Sequence, residues 1–271
     1  MNIKTTFKKF FQNFALRSGL VVNRIPPNDD LEKFLDRFKE KYMSIDMVRI
    51  GGDDDGGYLI PNNLDSVNYC FSPGVDYTAS FESELSKKYN IKSFMADASV
   101  SSSPVADDNL VFIKKFLGSK TGDDFITLSD WMKNSIVDDN QGKLLQMDIE
   151  GGEYDVLSYE SSETLAKFST MVIEFHGLQN MFDRHFLKFI TAIFEKIYVN
   201  FSICHVHPNN CSGIASYNGI DIPRVIEVTF IRNDLVNLYN IDIPISLPHP
   251  LDQSNIQNIS EIVMPEIWWK K

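Results

Sequence analysis

Two short stretches concentrate the residues able to move a proton. "LLQMDIEGGEYDVL" (144–157) is an apolar strand that delivers Asp148 and Glu150 to its end, turns at Gly151-Gly152 and opens a helix at Glu153. "MVIEFHGL" (171–178) is a second buried strand, ending in Glu174 and His176. Carboxylates and an imidazole carried to the rim of a sheet are placed for general acid–base work. An unperturbed histidine, with a pKa of about 6.5, exchanges its proton near neutrality. His176 is thus the candidate base, with Asp148 to orient an acceptor or stabilise a histidinium and Glu150 beside them. A helix-capping or core-edge role for His176 stays open as the alternative.

"CHVHPNNC" (204–211) is a further polar cluster. On a strand, His205 and His207 point to the same face, and with Glu174 or Asp148 they offer donors for a divalent metal. Cys204 and Cys211 superficially suggest zinc. Residues 204 and 205 face opposite ways, however, and the chain has no second paired motif, so no metal ligands are assigned. Acceptor binding is the favoured use of the cluster: His207, Asn209 and Asn210 suit hydroxyls or a phosphoryl group, with His205 and Glu174 in the same set. "GGDDDGGY" (51–58) has the acids of a calcium loop without the EF-hand spacing or its final glutamate.

"FSPGVDYTASFESEL" (71–85) contains a strand that stops at Ser72, a break at Pro73-Gly74 and an amphipathic helix from about Thr78. A strand turning at glycine into a helix is a cradle for a nucleotide-like ligand. Asp97, 23 residues after Gly74, ends the next strand, where a carboxylate can accept both ribose hydroxyls of an adenosine-type cofactor. The loop lacks the three glycines that let a backbone approach a pyrophosphate. Asp76 and Glu82 near the helix start oppose an anionic diphosphate and suit a zwitterion with a cationic centre. S-adenosylmethionine fits that description.

The elements that must position these residues alternate. Strands are expected at Val67–Ser72, Ile91–Ala96, Leu110–Phe116, Lys143–Ile149, Met171–Phe175, Ile197–His205 and Arg224–Ile231. Helices are expected at Thr78–Tyr89, Ser129–Val137, Glu153–Lys167 and Gln179–Lys196. That alternation argues an α/β, doubly wound parallel sheet. Only a loop (206–223) separates the last two strands, which suggests an antiparallel strand at the end of the sheet. Residues 1–45 read as an N-terminal helical extension and 46–271 as the main domain with an irregular tail.

With 271 residues and 43% hydrophobic content, the chain can bury one substantial core. Its net charge of −11 argues against nucleic acid as the main partner. Three cysteines, an odd and sparse set, point to a reducing compartment, and the expected location is cytoplasmic. No apolar run is long enough to span a membrane, and the N-terminus lacks the pattern of a signal peptide. Phe7, Phe10, Phe11 and Phe14 form one stripe among Lys4, Lys8, Lys9, Arg17 and Arg24. That stripe suits a helix docked on the domain; a second reading lays residues 1–24 on the anionic inner face of a membrane.

Several stretches in order resemble the FkbM family of S-adenosylmethionine-dependent methyltransferases: "DGGY" (55–58), "CFSPGVDYTASFESEL" (70–85), "FMADAS" (94–99), "ITLSDWM" (126–132), "MDIEGGEYDVL" (147–157), "MVIEFHGL" and "HVHPNN" (205–210). The resemblance implies a Rossmann-like class I methyltransferase sheet of about seven strands, the last inserted antiparallel. It implies cofactor contacts from Ser72, Gly74, Val75, Asp76, Ser80, Phe81 and Glu82, from Asp97 and Ala98, and from Asp55 and Gly57. The Asp148–Glu150 turn would line the methyl-transfer site, and S-adenosylhomocysteine would be the product. The chain departs from the family in its first loop, with Ser72 and one glycine where many class I enzymes have an acid and Gly-x-Gly. Relatives often modify sugars, glycans or polyketides. The expected reaction is therefore O-methylation of a sugar or surface-polysaccharide precursor, at a hydroxyl or a phosphate or phosphoramidate oxygen. The alternative is a non-catalytic scaffold of the same fold in a glycan-assembly complex. A divalent metal is not favoured.

Overall fold

The computed structural model describes residues 10, 12–19, 21–136, 141–240 and 243–270. Helix α1 (Asn28–Lys41) starts just after Pro27 and carries Asp29 and Asp30 in its first turn and Lys39 and Lys41 in its last, matching the helix dipole. Leu31, Phe34, Leu35 and Phe38 recur at helical spacing and are buried. They join the same apolar core as the sheet.

After the small hairpin of β1 (Met47–Ile50) and β2 (Tyr58–Pro61), the chain enters the main sheet with β3 (Val67–Pro73). Helix α2 (Ser80–Tyr89) leads to β4 (Lys92–Ala96) and then β5 (Leu110–Ile113). A two-stranded parallel patch follows, β6 (Phe116–Leu117) with β7 (Phe125–Ile126), and then α3 (Leu128–Ser135), capped by the Thr127 side chain. The chain continues through β8 (Gly142–Met147), α4 (Glu153–Tyr159), α5 (Ser162–Leu165) and β9 (Thr170–Phe175). It then runs through α6 (Arg184–Tyr198), β10 (Phe201–Pro208), the hairpin β11 (Ile214–Tyr217) and β12 (Ile220–Pro223), and β13 (Ile226–Arg232).

The main sheet has seven strands in the order β10-β13-β9-β8-β3-β4-β5. Strands β9, β8, β3, β4 and β5 are mutually parallel, and β13 runs antiparallel to both β9 and β10. The chain fills one half outward from β3 and the other outward from β8. The carboxyl ends of β3 and β8 therefore form the switch point where open α/β sheets bind ligands. This is the Rossmann-like architecture of class I methyltransferases.

Local chemistry shifts several boundaries. The antiparallel strand is not at the edge: β13 lies one place in, and β10 is outermost. The helix expected over Glu153–Lys167 breaks at Glu160, because Ser161 caps a new helix by accepting from the Thr164 amide. The one expected over Gln179–Lys196 is a 3-10 turn (Leu178–Phe182) followed by α6, since the Asp183 carboxylate accepts from the amides of His185 and Phe186. The loop 206–223 contains the β11–β12 hairpin, turned by Asn218 and Gly219, both at positive φ. The tail is irregular but packed: Trp268 is fully buried, edge-on to Phe34 and Phe38.

Phe7, Phe11, Lys4, Lys8 and Lys9 of the expected N-terminal stripe lie outside the described residues. Residues 12–17 are helical, and Phe10 and Phe14 are 71% and 61% exposed. Among the described residues, no helix is long and apolar enough to cross a membrane.

Candidate active site

Backbone contact at the switch point sets the geometry. Gly74 follows β3 with φ +87°, and a Cβ there would lie 1.6 Å from the Asp148 carbonyl oxygen just past β8. The two strand ends thus meet backbone to backbone, which only glycine allows. Asp76 and Glu150, in the loops on either side, are held at φ 43° and 54°. For residues other than glycine such conformations carry strain and persist where the surroundings enforce them. Above these loops lies a cavity of about 650 Å³, a size suited to a small-molecule ligand.

Asp97 ends β4 and is buried against this cavity. Its Oδ1 accepts from both the amide and the hydroxyl of Ser99 at 2.7 Å, and its Oδ2 accepts from the Asp76 amide at 3.0 Å. Four lone-pair sites less three donors leaves room on Oδ2 for about one more donor. The carboxylate can take one ribose-type hydroxyl; a second requires the Ser99 hydroxyl to turn away.

Ser72 is not on the cavity wall. It is fully buried beneath it, with its hydroxyl between Glu82 and Gln146 Oε1, the latter at 2.6 Å. Burial raises the Glu82 carboxyl above its usual pKa. A protonated Glu82 can donate to Ser72, which then donates to Gln146, so that one chain of hydrogen bonds satisfies all three groups. Gly74, Val75, Asp76, Ser80, Phe81, Glu82 and Asp55 do line the cavity. Ala98 does not; its neighbours Asp97 and Ser99 do. Gly57 is packed inside its own turn, its Cβ direction blocked at 2.1 Å by the Gly52 carbonyl, and Gly56 reaches the cavity instead.

The structure brings Asp148, Glu150, Glu174 and His176 together. His176 Nδ1 is 2.8 Å from Glu153 Oε1, while Nε2 faces Glu150 at 3.4 Å, Glu174 at 3.6 Å and Asp148 at 3.9 Å. Burial pushes the Asp148 carboxyl up to about 7; His176 works against that rise, and Asp55, Glu150 and Glu153 add to it. Burial, with Asp148, Glu227 and Asp55 nearby, also holds Glu174 well above the usual range. Burial opposes charge on His176, but its hydrogen bond to Glu153 and the surrounding carboxylates outweigh this and raise its pKa. Asp148 Oδ1, Glu153 Oε2 and Glu174 Oε2 are buried without a hydrogen-bond partner among the described residues.

The cluster at 205–210 divides. Asn209 reaches the acidic cluster, donating to Glu174 Oε1 at 2.9 Å; of that cluster Asp148 and Glu150 line the cavity, while Glu174, His176 and Asn209 lie behind its wall. His205, His207 and Asn210 do not reach the cavity, because the C-terminal tail covers them. His205 lies 2.9 Å from Asp252 and His207 2.8 Å from Glu261, and Asn210 donates to the carbonyls of Ile256 and Ile259. The metal set that pairs these histidines with Glu174 or Asp148 is therefore not assembled. Phe116, Phe125 and Asn255 are among the wall residues that the sequence did not mark as part of the site. The two phenylalanines, with ring centroids 5.6 Å apart, come from the β6–β7 patch. Their signal was an exposed aromatic on either side of a Gly- and Asp-containing turn. Asn255 comes from the tail and carries no local signal.

Residues 77–198 match the family model described as the methyltransferase FkbM domain. No curated protein matches the chain. Solved structures similar to it include the fibrillarin/Nop5p complex, with 12% identity over 64% of this chain and 75% of that one and a TM-score of 0.38. Another is a mutant of the 16S rRNA (adenine(1408)-N(1))-methyltransferase from Catenulisporales acidiphilia, with 10% identity over 70% and 97% and a TM-score of 0.33. A third is a mutant of MtNAS in complex with S-adenosylmethionine, with 10% identity over 62% and 56% and a TM-score of 0.27. At these scores the likenesses say nothing of substrate. The Gly74 loop and the Asp55 turn precede the matched segment and rest on this chain's own geometry. The matched segment, residues 77–198, lies within the stretch from Asp55 to Asn210 whose motifs resemble the same family.

Proposed function

We propose that this chain transfers a methyl group from S-adenosylmethionine to an oxygen of a neutral, hydroxyl-rich acceptor such as a sugar or a surface-polysaccharide precursor. The observation that carries this reading is the charge of the cavity. Seven acidic residues line it (Asp54, Asp55, Asp76, Glu82, Asp97, Asp148 and Glu150), five of them besides Glu82 and Asp148, whose carboxyls burial holds up, and among the described lining residues there is no lysine or arginine. Such a wall opposes a pyrophosphate or a phosphorylated acceptor and favours a ligand with cationic centres. Of the acceptors considered, a hydroxyl is therefore favoured over a phosphate oxygen.

The residues present fit the cofactor. Asp97 keeps room for a ribose hydroxyl, and the Phe116–Phe125 wall offers flat apolar contact for a base. The acids around Gly74 and Asp148 would face the amino and sulfonium charges. When bound, the cofactor supplies a methyl group already activated by the sulfonium. The chain's own task is to align the acceptor oxygen and exclude water. Asp148, Glu150 and His176, at the end of β8 and just past β9, form the group positioned to take the acceptor's proton.

Calorimetric titration with S-adenosylhomocysteine, beside NADH and the Asp97→Ala variant, tests the reading. Micromolar binding of S-adenosylhomocysteine that the variant loses is the expected result. A folded protein that ignores S-adenosylhomocysteine would turn the reading toward a scaffold, and NADH binding would overturn it.

A further inference from the structure

We propose that Asp148, Glu174 and His176 form a site for one divalent metal cation of the manganese type. The motifs assign no metal here, and methyl transfer as proposed above does not require one; with a cation on Nε2, His176 serves as ligand and the acceptor's proton falls to Glu150. One ligand atom from each residue lies within 4.8 Å of the others. His176 Nε2 stands 3.6 Å from a Glu174 oxygen and 3.9 Å from Asp148 Oδ1. A cation holding its donors at about 2.1 Å spaces neighbouring donors by about 3 Å and opposite ones by about 4.2 Å, which brackets these separations.

Three further features support a cation. Glu174 is only 2% exposed, yet among the described residues its Oε2 has no hydrogen-bond partner, and neither has Asp148 Oδ1. Buried carboxylate oxygens without donors are costly unless something positive meets them. His176 presents Nε2 to the cluster while Nδ1 is tied to fully buried Glu153. A carboxylate behind the distal ring nitrogen is the usual support of a metal-bound histidine. Asn209 donates to Glu174 Oε1, the same oxygen that faces His176 Nε2, and so fixes the carboxylate with Oε2 left over for a cation. Two carboxylates, donors that suit manganese, outnumber the one imidazole, and no thiolate is present to favour a structural zinc. Glu150 lies 3.4 Å from Nε2 on an 86% exposed side chain and can close over the open side.

The competing occupant is the cationic part of the methyl donor, and the experiment separates the two. Full-length protein stripped with chelator is titrated with MnCl2, by calorimetry and by loss of the free Mn2+ EPR signal, with and without S-adenosylhomocysteine. One equivalent of Mn2+ should bind. Glu174→Gln, which can still accept from Asn209, should weaken binding at least tenfold, as should His176→Ala. Glu153→Gln should weaken it by about 10–100-fold through loss of support behind the imidazole. A melting temperature raised by Mn2+ in the parent and not in Glu174→Gln provides a readout independent of activity. No uptake at millimolar Mn2+, or uptake unchanged in Glu174→Gln, overturns the site. S-adenosylhomocysteine binding without Mn2+ uptake would do so while leaving the methyl-transfer reading intact. Mn2+ uptake without S-adenosylhomocysteine binding would do the reverse.

Discussion

Replacing Gly74 by alanine tests the backbone junction on which the site depends. The added Cβ would sit 1.6 Å from the Asp148 carbonyl oxygen. Even a close carbon–oxygen contact needs about 3.3 Å, so the end of β3 or β8 must move by about 1.7 Å. That shift breaks the bond from the Asp148 amide to the Pro73 carbonyl, already 3.4 Å long. Its loss costs about 1 kcal/mol, and a side chain at positive φ costs about 1–2 kcal/mol more. A total of about 2–3 kcal/mol lowers the melting temperature of a domain this size by roughly 5–10 °C. The same shift carries Asp148 away from the cavity, so S-adenosylhomocysteine binding should fall at least tenfold. Gly219→Ala is the control: Gly219 has φ +79° and nothing within 4 Å of its Cβ direction. It should lose only the strain of positive φ and leave binding unchanged. A Gly74→Ala protein that melts with the Gly219→Ala control and binds S-adenosylhomocysteine like the parent would refute the junction argument.

Three other expectations follow from the same structure. Burial raises the Glu82 carboxyl above its usual 4.5, so native stability falls as pH rises from 4.5 through the folded value. Glu82→Gln should therefore gain on the parent as pH rises above 4.5 in urea unfolding; a pH-independent difference would contradict the assignment. His207 is held up to about 9, against burial, by Glu227 and Glu261, so its contribution to stability is complete below its usual 6.5 and is lost as pH passes 9. Hydrogen exchange over residues 249–261 should accelerate across that window beyond the intrinsic pH trend, and His207→Gln should flatten the excess. Exposed Phe10 and Phe14 should carry the protein onto anionic vesicles in sedimentation, and Phe10→Ser with Phe14→Ser should abolish it. Equal pelleting with neutral vesicles would remove the membrane reading.

The sheet was legible because its strands are apolar runs of ordinary length separated by amphipathic helices. Asp97, Asp148, Glu174 and His176 were legible because strand ends are where such folds place their ligands. The remainder depended on information that local pattern does not carry. Glu160-Ser161 and Asp183 interrupt helices whose apolar periodicity runs on past them, and there a cap overrides periodicity. Asn218-Gly219 was a hairpin signal inside a segment read as loop. Phe116 belonged to a strand by pattern, yet pairs with Phe125 instead of continuing β5. His205 and His207 alternate as strand residues should, and their shared face is real. Whether that face meets a ligand or the protein's own tail depends on residues some fifty positions later. Gly57 and Ala98 missed the wall by one residue each, a distance finer than motif position can resolve.

The insertion of β13 also constrains the order of assembly. Strand β10 pairs with the seven-stranded sheet through β13, and β13 is the last of the seven along the chain. Until residues 226–232 are available, β9 presents the unpaired edge of a strand that is buried along its whole length in the finished protein. Bare apolar edges of this kind recruit other chains. A chain paused on the ribosome between β10 and β13, or cut there by a protease, should be far more prone to aggregation than one cut after Arg232. Pairing across so long a stretch is also slow to form, so closure of this edge is the natural late step in folding.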